Sequence, residues 1–260
     1  MTQLAPAIRV EVRDAVAHFT LTRADVANTM NLQFGREFLA AAQGLQADPQ
    51  VRAVLMSGEG RNFCFGGDLK GMVASGGDLC AYLGELTTAL HAGLALLMRM
   101  DAPVIVAVKG SAAGAGLGLV LAADLAIAGR SAKFTPAYTG VGLTPDAGCT
   151  FLLPRAVGYK RAMELLLTNR VLSAEEALDW GLVNQVVDDE LVDGTAAALA
   201  ARLAGGPSAA FGGVKRLLAE AEPGLETHLG RESRSIAARG ASVEGREGIA
   251  AFLEKRLPRF

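Results

Sequence analysis

Apolar residues in this chain recur in two rhythms, and the order of those rhythms predicts an α/β fold. Ile8, Val10 and Val12 alternate with Arg9, Glu11 and Arg13, and a second run, Val16–Leu21, follows Asp14-Ala15. Together they predict a β-hairpin. Phe34, Phe38, Ala41 and Leu45 return at helical spacing, so Leu32–Ala47 is a predicted helix. Val51–Ser57 is an apolar run closed by Gly58-Glu59-Gly60, the pattern of a strand buried on both faces. Gly71, Ser75, Gly76 and Gly77 predict a mobile loop. A long helix over Leu79–Met100 and a strand over Pro103–Val108 come next, then a helix over Leu119–Ala123. Short strands at Asp124–Ala128 and from Ala132-Lys133-Phe134 complete an alternation that predicts parallel crossovers with helices packed on a sheet.

From Lys160 onward the pattern is helical. Lys160–Leu167 is one helix, and Ser173-Ala174-Glu175-Glu176 reads as a capping box opening another. Leu191–Ala204, Ser208–Glu220, Gly224–Ala238 and Val243–Lys255 follow, with Pro207 and Pro223 at boundaries and a short strand over Leu182–Val187. Residues 1–200 are therefore expected to form an α/β core, and residues 201–260 a helical region serving as a flap or an oligomerisation arm.

Composition narrows the function classes. The 260 residues are 51% apolar, enough for a sizeable core, and the formal net charge of −2 is spread without blocks. That excludes the basic footprint of a nucleic-acid or acidic-membrane binder. Cys64, Cys80 and Cys149 lack metal-ligand spacing, and their scatter fits a reducing, cytoplasmic setting. Met1-Thr2-Gln3-Leu4-Ala5-Pro6 has no leader pattern, and Gly, Lys and Asp interrupt the apolar stretches, so no membrane span is expected.

The candidate chemistry lies where small residues meet element ends. Lys109-Gly110-Ser111-Ala112-Ala113-Gly114-Ala115-Gly116-Leu117-Gly118 joins a predicted strand to a predicted helix. Such a junction lets a ligand approach backbone N–H groups that have no helical partner. Phe63-Cys64-Phe65-Gly66-Gly67-Asp68-Leu69 is a second such place, and two loops of free donors can hold one oxyanion. The first run lacks a Gly-Lys-Ser/Thr ending, which excludes a nucleotide-hydrolysing loop. Asp146 stands alone among Gly, Leu, Thr, Pro and Ala, with no other charge between Lys133 and Arg155. A poorly solvated carboxylate suits proton exchange with carbon, although the same Pro145-Asp146 pair could simply cap a helix. His91 sits mid-helix among apolar residues, as a packed histidine or as a base, and Tyr138 fits either a pocket wall or the core. Asp68 is expected to fix its loop by accepting backbone N–H groups.

With these residues in place, the chain resembles the enoyl-CoA hydratase/isomerase (crotonase) family over nearly its whole length. Leu21-Thr22-Arg23 through Asn28 resembles the family's first CoA-contacting turn, with Ala24 where proline is usual. Phe63–Leu69 and Gly110–Gly116 resemble the two oxyanion loops, and Arg246–Arg256 the C-terminal signature. The resemblance implies a crotonase-like core of repeated ββα units with a C-terminal helical trimerisation region, built into a homotrimer or a hexamer. It implies an acyl-CoA thioester as partner and no cofactor or metal beyond the coenzyme A of the substrate. Cys64 and Ala115 fall at the oxyanion-donor positions. Arg23, Val26, Ala27, Phe65, Gly66, Gly67, Asp68, Leu69, Gly114, Tyr138, Phe252 and Lys255 fall at substrate- or CoA-binding ones.

Departures from the family pattern bear on the reaction. Gly118 and Tyr138 stand where family hydratases carry two water-holding glutamates, so ordinary hydration is not expected. Asp146 falls where Asp-dependent branches place one catalytic aspartate. The segments around Leu143–Asp146 and Phe151–Arg155 are most similar to the 1,2-epoxyphenylacetyl-CoA isomerase branch. Arg161–Val183 also resembles 4-chlorobenzoyl-CoA dehalogenase, in which an aspartate attacks the ring and a histidine aligned with His91 activates water. The expectation is an isomerase working through an enolate. The rivals are Asp146/His91 nucleophilic chemistry as in an aryl-CoA dehalogenase or hydrolase, an enoyl-CoA hydratase in the broad family sense, and a CoA-ester-binding homologue without turnover.

Overall fold

The computed structural model describes residues 5–219 and 224–260; the reading of Met1–Leu4, the end of the helix drawn to Glu220 and the Pro223 boundary lie outside them. The predicted hairpin is formed by β1 (Ile8–Arg13) and β2 (Val16–Leu21), with Val10 opposite Phe19. Its turn residues Asp14 and Ala15 have φ of 48° and 63°, the left-handed pair whose twist suits a two-residue hairpin. Asn31 opens α1 (Leu32–Ala47) by accepting the Phe34 N–H at 2.9 Å. β3 (Ala53–Gly58) starts later than predicted, because Val51 closes a turn onto the Asp48 carbonyl.

The largest local difference is α2 (Leu69–Ala74), which takes the first part of the expected Gly71–Gly77 loop and leaves Ser75–Gly77 outside the helix. Asp68 caps it through the Gly71 N–H at 2.9 Å and Met72 buries its apolar face, which together outweigh the poor helix propensity of Gly71. α3 (Leu79–Arg99) has the length and apolar composition of a membrane-crossing helix, yet Leu86, Leu90, Leu94 and Leu97 are buried in the core. β4 (Val104–Val108) leads into β5 (Ser111–Ala113), a strand inside the small-residue run that periodicity does not reveal. α4 (Ala115–Ala122), β6 (Leu125–Gly129), β7 (Lys133–Thr135), α5 (Cys149–Val157) and α6 (Tyr159–Thr168) follow. β8 (Leu172–Ser173) precedes α7 (Ala174–Asp179), where Ser173 and Glu176 complete the predicted capping box. β9 (Gln185–Val187) and α8 (Val192–Ala204) end the core, and α9 (Ser208–Ala219), α10 (Leu225–Gly240) and α11 (Val243–Leu253) form the C-terminal helices.

The main sheet runs β1-β2-β3-β4-β6-β9, parallel from β2 onward. Alternate residues feed two cores. Ala17, Phe19, Val54, Met56, Val104 and Val106 join Phe34 and Phe38 of α1 and Leu90 and Leu94 of α3. Val16, Ala53, Leu55, Ile105 and Ala107 meet Val192, Ala196, Ala200 and Ala204 on α8. Both faces are covered, which is why these strands read as unbroken apolar runs. A second sheet, β5-β7-β8, sits beyond the end of β4 and sets the position of the loops after β5 and β7.

Candidate active site

Two chain segments meet where β5 passes into α4. Cys64 pairs with Ala112 as an isolated bridge, which aligns the 63–69 segment with β5. At the turn Gly114 has φ of 53°, and its N–H donates to the Thr135 carbonyl at 3.0 Å. Gly66 has φ of 78°, and a methyl group built on it would lie 2.8 Å from the Ala113 carbonyl and 2.9 Å from the Ala115 nitrogen. Only a glycine lets the two loops approach this closely.

The amide donors differ from the expected pair. The Cys64 N–H is bonded to the Ser111 carbonyl at 3.1 Å, so it is committed to the scaffold and is not an oxyanion donor. The Cys64 thiol donates to the Asn28 carbonyl, and burial pushes it up to about 12, only partly offset by the Gly66 N–H and Arg23. Gly67 and Ala115, by contrast, line one cavity, and among the described residues their N–H groups meet no acceptor. Ala115 is the first residue of α4, where the backbone has no intrahelical partner to offer it. The repeating glycines in Gly66-Gly67 signal a close approach, but the bridge to Ala112 decides which amide stays free.

The cavity, of about 90 Å³, is walled by Phe65, Leu69, Met72, Leu86, Leu90, Tyr138 and Asp146 together with these amides. Asp146 is the one carboxylate among the described residues lining it. The helix-cap alternative fails: α5 begins at Cys149 behind Gly148, with no side-chain cap. The Asp146 carboxylate instead accepts the Tyr138 hydroxyl on Oδ1 at 2.5 Å. Burial, with Cys149 and Asp146 beside it, pushes the Tyr138 phenol far above its ordinary range, so it stays a donor. Its oxygen also lies 3.9 Å from Cys149 Sγ, which in turn lies 4.0 Å from the Gly114 carbonyl. A buried chain of contacts thus joins the acid to the turn that presents Ala115.

His91, on α3, is brought to the same loop. Its Nε2 accepts the N–H of Ala147 at 3.0 Å, and Ala147 is fully buried. Leaving such a donor unpaired costs about 1–3 kcal/mol, so the imidazole is built into the loop. Around the site, Arg23 binds Asp68 Oδ2 at 3.2 Å and the Thr29 carbonyl, and the Ala27 carbonyl accepts the Phe65 N–H at 3.0 Å. The predicted CoA turn is therefore tied to the 63–69 loop. Asn28, missed as a structural residue, is fully buried and donates to the carbonyls of Glu59, Asn62 and Phe63, each at 3.0 Å. Val26 is exposed on that turn, and exposed Phe252 and Lys255 lie on or after α11, outside the cavity lining.

Comparison with known proteins agrees with this architecture. Residues 11–260 match the family model described as enoyl-CoA hydratase/isomerase. The chain is 42% identical over 254 residues to a probable enoyl-CoA hydratase of Rhodobacter capsulatus, covering 97% of both chains. It is 40% identical over 251 residues to the 1,2-epoxyphenylacetyl-CoA isomerase of Escherichia coli strain K12, covering 96% of both. A crystal structure from Mycobacterium abscessus, titled a putative enoyl-CoA hydratase/isomerase, superposes with a TM-score of 0.90 at 38% identity, covering 98% of this chain and 99% of that one. The β-hairpin, the parallel sheet, the two apposed glycine-rich segments and these similarities place the chain in the enoyl-CoA hydratase/isomerase family, with the crotonase fold.

Proposed function

We propose that the protein is an acyl-CoA thioester isomerase that shifts a double bond, or isomerises a ring epoxide, through an enolate with Asp146 as its single acid/base. The observation that carries this reading is one carboxylate sharing a mainly apolar cavity with two unpartnered amides, Gly67 and Ala115. Those amides would receive the thioester oxygen as negative charge develops, and losing one such donor typically costs about 3 kcal/mol of transition-state stabilisation. The neighbouring carbon becomes acidic, and Asp146 takes a proton from C2 or C4 and returns it at the other end. Tyr138 would hold Oδ1, leaving Oδ2 to face the substrate. A 1,3-shift of one proton needs one base, whereas hydration needs a second group to orient water. The cavity wall offers no second carboxylate among the described residues.

Nucleophilic chemistry with His91 as water-activating base is less favoured, because Nε2 of His91 is occupied by the Ala147 N–H. The test is Asp146→Asn assayed against 2-enoyl- and 3-enoyl-CoA esters, with binding followed by calorimetry. Loss of double-bond migration with retained acyl-CoA affinity is the expected result. Undiminished turnover in the variant, or no turnover by the parent protein on the whole panel, overturns the reading.

A further inference from the structure

We propose that His91 and Gly118 are positioning residues that set the Asp146 carboxylate by holding the next peptide, that of Ala147; the functional half of this rests on Asp146 being the acid/base group. Ala147 has φ of 48°, a left-handed conformation that a residue with a side chain adopts only when its surroundings impose it. Two neighbours impose it here. On one side, His91 of α3 accepts the Ala147 N–H at 3.0 Å, a bond spanning 56 residues of sequence. On the other side lies Gly118 of α4. A methyl group built there would lie 2.4 Å from the Ala147 Cβ and 2.7 Å from its carbonyl oxygen. The turn carrying Asp146 is thus seated in a space that exists because residue 118 has no side chain.

The bond also engages the ring nitrogen of His91 nearest the loop. A peptide N–H only donates, so Nε2 must present its lone pair to it. While it accepts from Ala147, the same lone pair cannot take a proton from water. His91 therefore acts on Asp146 through the backbone, as a hydrogen-bond acceptor. The arrangement makes a side chain at 118 and the present placement of Asp146 mutually exclusive.

Glutamine separates this role from that of a base, because its Oε1 can accept an N–H at about the place of Nε2 yet cannot serve as a general base. The full-length protein and its His91→Gln and His91→Leu variants are compared by hydrogen exchange at the Ala147 amide and by kcat and KM for enoyl-CoA isomerisation. Expected are a protected amide and near-parental kcat in His91→Gln. His91→Leu should show exchange faster by about 100-fold and kcat lower by about 30-fold, with KM little changed. Gly118→Ala should lower kcat with acyl-CoA affinity retained. If that variant fails to fold, the His91 pair decides. His91→Gln as inactive as His91→Leu, or His91→Leu with parental exchange and rate, overturns the proposal. If the parent turns over no enoyl-CoA, the isomerase reading falls by itself, and exchange at Ala147 still decides whether the clamp exists.

Discussion

The Tyr138 hydroxyl and the Asp146 carboxylate form a hydrogen bond of 2.5 Å on the cavity wall, between a loop after β7 and the loop before α5. The phenol is kept protonated by burial, so it serves as a fixed donor to the half-buried carboxylate. Hydrogen bonds to a charged group contribute about 1.5–3 kcal/mol. Tyr138→Phe keeps the ring and removes only that donor. Its expected effect is a kcat lower by about 10- to 100-fold, with acyl-CoA affinity within about twofold. Steady-state kinetics beside calorimetric binding checks the split, and an unchanged kcat would show that Asp146 needs no partner.

Gly66 controls how near the 63–69 segment and the turn before α4 come. In Gly66→Ala the new methyl group meets the Ala113 carbonyl and the Ala115 nitrogen under 3.0 Å, at a φ of 78° that disfavours any side chain. The loops must part, which moves the Gly67 and Ala115 amides relative to each other. A loss of about 100-fold in kcat is expected, the size seen when one oxyanion donor is removed. Retained cooperative unfolding distinguishes this from a general loss of structure.

The buried thiols make stability fall in alkali. Burial pushes Cys64 and Cys149 each up to about 12, against 9.0 in an open chain. Between those values the unfolded chain has lost the thiol protons and the native protein still holds them. Unfolding is then favoured by up to about 1.4 kcal/mol per thiol for each pH unit. Urea midpoints should therefore decline steeply above pH 9, and Cys64→Ala or Cys149→Ala should flatten the decline. Of the three cysteines only Cys80 is exposed, so one thiol should react quickly in the native protein and three after unfolding. Three fast thiols at neutral pH would contradict this packing.

Elements whose signals are local were legible in the order of residues alone. Alternation specified the hairpin, helical spacing specified α1 and α3, and the Ser173/Glu176 box specified the start of α7, because each rests on contacts within a few residues. Asp146 was visible as the one charge in a long neutral stretch, and the glycine runs marked where backbone and ligand would meet. Other features were decided only when distant segments met. Among the described residues Gly67 rather than Cys64 keeps a free amide, because the Cys64 N–H is taken by Ser111, 47 positions further along the chain. α2 forms where glycines predicted a loop, because Asp68 and buried Met72 act together. Asp146 faces Tyr138 instead of capping a helix, and His91 reaches Ala147, through hydrogen bonds that no periodicity encodes. Local pattern fixes which residues can pair with their neighbours; the assignment of each buried donor to its acceptor is made by the packing of the whole chain.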